Sequence, residues 1–180
     1  DVPWAYQRAQ ELGADLLHLH PLVAEGRARE MSDDWHLTPV DCARLFVLGK
    51  LLGAGNDLPH VQVDLVAVKE LAEAREQYRD LLCGTGASLS DLVNPLVINE
   101  RGTCLAFTYN MDYRFALAEL GQDWRCALAK AMNVASESLA RLVDYAFQAA
   151  RDEPSAYLDW FQYLTRLSYA GGAIYAGKTQ

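Results

Sequence analysis

An all-α fold is predicted: five to seven helices, arranged as a helical bundle around a long central helix at 124–151, with one small β-hairpin near 96–109. Three features of the sequence lead there. The stretch DWRCALAKAMNVASESLARLVDYAFQAAR at 123–151 is the longest unbroken helical pattern in the chain. Its Trp124, Leu128, Met132, Ala135, Leu139, Leu142, Ala146 and Ala150 recur at steps of three and four, which is one helix face. Thr38, Pro39 and Asp41 give three agreeing signals for a helix start, at the N-cap, first and third positions. Residues 96–109 show the period-two pattern of β-branched and aromatic residues that suits a half-buried strand.

The remaining elements follow in order. Residues 3–12 read as a short helix that Gly13 stops. The apolar run through Leu16, Leu17 and Leu19 is taken as continuing helix until Pro21, and 21–31 as another turn or two. From Thr38 the helix runs to Gly53, apolar nearly all round, which marks it as buried in the core. Gly49 costs about 1 kcal/mol inside it relative to Ala and is expected to admit the central helix closely. Residues 60–83 read as a second long helix, with Val61, Leu65, Val68, Ala72 and Leu82 on one stripe. Its other face carries Lys69, Glu70, Glu73, Arg75, Glu76, Arg79 and Asp80, and the alternating signs make it a solvated face and not a cation site. A helical turn at 88–94 ends at Asn94-Pro95. The hairpin pairs 96–98 with 103–109, a short amphipathic helix covers 111–120, and a last helix spans 154–170 before a tail at 171–180. No internal repeat appears, and 1–180 is read as a single helical domain.

Composition narrows the function more than motifs do. Hydrophobic residues make up 51% and charged residues 22% of the 180, so a sizeable core can form. The formal net charge of −8 repels phosphates and anionic headgroups, so neither nucleic acid nor membrane is an expected partner. No apolar run approaches the ~20 residues needed to span a bilayer, and no signal peptide is visible at DVPWAYQRAQ. The chain opens on Asp1, so it is expected to begin inside a longer product, and a cytoplasmic location is expected. Cys42, Cys83, Cys104 and Cys126 have no metal-ligand spacing and read as reduced thiols.

Candidate chemistry is thin. His18 and His20 flank one residue in LLHLH; on a strand both rings would share a face, as some metal sites require. On the helix expected there they diverge by about 200°, so no metal and no other cofactor is expected. Cys104 reads as a buried strand cysteine, no Ser sits in a Gly-x-Ser-x-Gly elbow, and the Gly-x-Gly stretches at 53–55 and 84–86 lack the lysine of a phosphate loop. No catalytic residue is expected.

The unusual feature is the aromatic density of the final helix: Tyr157, Trp160, Phe161, Tyr163 and Tyr169. One helix cannot easily bury so wide an arc against a single neighbour. Either the helix is central to the fold, or part of the arc is a contact surface with Arg166 in its polar rim. The leading expectation is a non-enzymatic protein-interaction domain (adaptor, chaperone-like or regulatory) that binds another protein or self-associates as a homodimer through Tyr157, Trp160, Phe161, Tyr163, Arg166 and Tyr169. The alternative is a domain that binds an apolar or aromatic small molecule between helices 124–151 and 154–170. An enzyme comes third.

Overall fold

A computed structural model describes residues 1–23, 28, 30, 35, 37–55, 57–77, 96–121, 123 and 138–170. It corrects the predicted class: the chain is mixed α/β, neither all-α nor a helical bundle, with three small sheets among the described residues. In chain order the elements are α1 (Val2–Glu11), β1 (Leu16–Leu19), α2 (Pro39–Gly53), β2 (His60–Val63), β3 (Val66–Ala67), α3 (Val68–Gln77), β4 (Leu96–Ile98), β5 (Thr103–Ala106), β6 (Ala116–Glu119), α4 (138–149), β7 (Tyr157–Leu158) and α5 (Trp160–Ala170). The first half of the helix expected at 124–151 lies outside the described residues, as do the turn at 88–94, most of 24–36 and the tail. Among the described residues no helix is long and apolar enough to cross a membrane. The chain divides into two compact units, residues 1–68 with 153–160, and residues 69–152 with 161–180.

The first unit holds a strand–helix–strand motif. β1 and β2 pair in parallel, with Leu16 opposite His60 and Leu19 opposite Val63, and parallel strands need the crossover that α2 supplies. This corrects two expected helices, at 14–20 and over the first part of 60–83. In both segments apolar and polar residues also alternate at period two. The ladder formed between strands 44 positions apart in sequence, Leu16 opposite His60, wins over local helical preference. Only from Val68 does the expected helix appear, as α3.

α2 forms where the capping signals place it. The Thr38 hydroxyl accepts from the Asp41 N–H at 3.2 Å, and the Asp41 carboxylate accepts from the Thr38 N–H in return. The Thr38 hydroxyl bond, then its backbone N–H, holds the Asp41 carboxyl below the usual carboxylate range. The helix is not the buried one expected: Gly49 alone is buried, and Val40, Val47 and Leu51 are exposed. Gly49 serves β2 in place of the central helix, for it lies against Val63. A short antiparallel pair, β3 with β7, completes the unit, and Tyr157 on β7 stacks on Phe46 of α2 with ring centroids 4.6 Å apart.

The second unit contains the expected hairpin. β4 pairs with β5 through a turn in which Asn99 Oδ1 accepts from the Arg101 and Thr103 N–H groups, both at 3.0 Å, and Gly102 takes φ +77°. The segment 111–120 is not a helix. It makes one 3-10 turn (Tyr113–Phe115) and then β6, a third strand antiparallel to β5. β5 is thereby central and buried on every residue, Cys104 included. On α4 the buried Leu139, Leu142, Val143, Ala146 and Phe147 form an i, i+3, i+4, i+7, i+8 stripe. α5 buries Tyr163, Leu164 and Leu167 together with the polar Thr165 and Ser168. Those polar groups are satisfied: the Thr165 hydroxyl bonds Thr108 at 2.8 Å, and Ser168 accepts from the Asp112 N–H at 3.1 Å. Arg114 clamps the Asp112 carboxylate, holding its pKa below the ordinary value.

Candidate metal centre

In the parallel pair, side chains alternate between two faces. Leu17, Leu19, Val61 and Val63 are half-buried on one, while Leu16, His18, His60 and Gln62 stand on the exposed other. Two parallel strands end side by side, so the residues just past their C-terminal ends, His20 and Asp64, become neighbours. The Asp64 N–H donates to Leu19 O at 3.1 Å and is the last rung of the ladder.

His18, His20 and Asp64 therefore converge. Nε2 of His18 lies 2.6 Å from Oδ1 of Asp64, and Nδ1 of His20 meets Oδ2 of the same carboxylate. One ligand atom from each of the three residues lies within 4.8 Å of the others. The imidazole rings are 3.8 Å apart at centroid and tilted 45°. An ionised carboxylate only accepts, so each imidazole donates an N–H to its own Asp64 oxygen. The carboxylate is 11% exposed, His18 33% and His20 60%: the anion sits at the base and the rings stand over it.

Two imidazoles and a carboxylate are a donor set for a borderline divalent ion such as zinc, and a poor one for magnesium or calcium, which take oxygen ligands. Around a tetrahedral ion with ~2.0 Å bonds, ligand atoms stand ~3.3 Å apart. The 2.6 Å spacing of the hydrogen-bonded form therefore has to widen by about 0.7 Å on that geometry. The solvent-facing imidazoles can supply this by turning about their side-chain bonds. Three protein ligands leave one coordination position, which faces water.

The aromatic residues singled out in the sequence are not gathered into one surface. Tyr157 is half-buried on Phe46. Phe161 lies 6.5 Å from Phe107, and Trp160, at the start of α5, is half-buried. Tyr163 is buried, with the Arg166 guanidinium 5.0 Å above its ring. Tyr169, 58% exposed, and Arg166 remain at the surface. The alternative small-molecule site between helices 124–151 and 154–170 would be lined by Met132, Leu139, Trp160 and Tyr163; Leu139 and Tyr163 are buried, Trp160 is half-buried, and Met132 lies outside the described residues.

The sequence reading missed the convergence of His18, His20 and Asp64 because it placed His18 and His20 on a helix. The signal was the alternation itself, LLHLH at 16–20 and HVQVD at 60–64. Compared with known protein families, curated proteins and solved structures, the chain matches none.

Proposed function

We propose that this protein binds one divalent d-block metal ion, zinc foremost, at His18, His20 and Asp64. The observation that supports the reading is the convergence of two imidazoles on one largely buried carboxylate, from strands whose order is fixed by a parallel ladder. A carboxylate satisfied by one surface histidine is commonplace; two rings directed to its two oxygens make a ligand set. With His20 60% exposed the site is wet, whereas metal catalysis works in a dry, shaped cavity, so the reading is binding and not turnover.

Calorimetric titration of Zn²⁺ into the metal-stripped chain tests it. One ion per chain is expected, with affinity falling as pH falls because protons compete for the imidazoles. His20→Ala should weaken binding by more than ~10-fold, since even outer-shell partners of a ligand cost 10–100-fold. No binding near 100 μM zinc (about −5.5 kcal/mol), or an unchanged affinity in the variant, sinks the reading.

The exposed face of α2 favours a second reading, self-association. Val40, Ala43, Val47, Leu48 and Leu51 line a shallow apolar groove beside Arg44. An apolar stripe on a helix is self-complementary about a two-fold axis, so a second copy is its simplest occupant. Sedimentation at high micromolar concentration should then show a dimer that Leu51→Glu abolishes. A monomer for the unmodified chain removes this reading and leaves the metal site untouched.

A further inference from the structure

We infer that the bound ion acts as a clip between β1 and β2, so that metal supply governs how often this parallel pair opens. The inference rests on the metal reading and adds a consequence to it.

The pair needs such support. Each strand has four residues, and among the described residues this sheet contains no third strand. Isolated two-stranded pairs are marginal in water, and parallel pairing is weaker per residue than antiparallel. The partners are also remote: 46 residues separate His18 from Asp64, so pairing closes a long loop before any rung is gained. One face of the pair is held by α2, whose Gly49 and Gly53 lie against Val63 and Val61. The opposite face is exposed, and there the ligands sit. Two come from the β1 side and one from the β2 side, at the end where the ladder stops with the Asp64 N–H bonded to Leu19 O. A ligand set confined to one strand would leave the pairing unaffected; this one cannot form unless the strands are in register.

The same residues hold the strands without metal. The Asp64 carboxylate then bridges two imidazole N–H groups, a clip made of protons. A metal ion replaces two solvent-competed hydrogen bonds with coordination bonds. Because the open pair lacks the site, an ion at 100 times its Kd shifts the opening equilibrium about 100-fold toward the closed form.

Hydrogen exchange on the intact chain, with and without Zn²⁺ at that excess, provides the test. The reporters are the Asp64 amide, bonded to Leu19 O, and the His60 amide, bonded to Asp15 O at 2.9 Å. Zinc should slow both by tens-fold or more, and His20→Ala should remove the slowing; at 60% exposure that ring contributes little packing to lose. Asp64→Asn should behave the same way. If zinc binds one-to-one in the titration while both amides exchange at unchanged rates, the clip is overturned and the metal site survives. Absence of binding in the titration overturns both.

Discussion

At position 49 the lack of a side chain lets α2 lie on β2. A Cβ placed there would meet Val63 Cγ2 at 2.2 Å, far inside contact distance, while Val63 Cβ at 3.5 Å would be in ordinary contact. Helix propensity alone favours Ala over Gly by about 1 kcal/mol. Overpacking typically costs about 1–3 kcal/mol, and Val is stiff at χ1, so the overlap is not relieved by an easy rotation. Gly49→Ala should therefore lower stability by about 1 kcal/mol net in a urea melt. The control is the same substitution in a Val63→Ala background, where the clashing methyl is gone. There Gly49→Ala should be neutral or stabilising, by up to about 1 kcal/mol. A Gly49→Ala chain more stable than the unmodified one would show that helix and strand do not approach this closely.

Elements whose cause is local were legible in the sequence. α1 ends at Gly13, which takes φ +67°, and α2 starts on its Thr38 and Asp41 capping box. The hairpin turns through Asn99 and Gly102. In each case the residues that make the structure lie within four positions of one another. The elements that were missed depend on partners far along the chain. β1 becomes a strand because 60–63 lies alongside it, and β6 because β5 offers an edge. The stretch 60–77 shows both cases: its charge spacing from Lys69 to Glu73 is truly helical, and extending that helix back to His60 erased a strand. The same error hid the candidate metal centre. Side chains two apart share a face on a strand and diverge on a helix, so one wrong assignment at 14–20 turned the His18 and His20 pair into two unrelated surface residues. Asp64 had no reason to be considered beside them until the parallel register was known.

For the whole molecule, charge raises a competing explanation for any metal binding. The chain carries 24 acidic against 16 basic residues, a formal net charge of −8, and an acidic surface gathers cations without any built site. The two kinds of binding differ in chemistry and in range. Diffuse attraction is set by the summed field; it is screened over a Debye length of about 8 Å near physiological ionic strength and scarcely distinguishes one divalent cation from another. Coordination by His18 and His20 depends on nitrogen lone pairs, which hard cations do not seek. Zinc affinity measured with about 1 mM Mg²⁺ or Ca²⁺ present should therefore change by less than about 3-fold, because the triad offers those ions a single carboxylate. Raising NaCl to about 0.5 M shortens the Debye length to roughly 4 Å and should weaken zinc by less than about 10-fold, the part owed to the acidic field. Binding owed to that field alone would behave otherwise: magnesium would strip the zinc, the stoichiometry would exceed one per chain, and His18→Ala would change nothing.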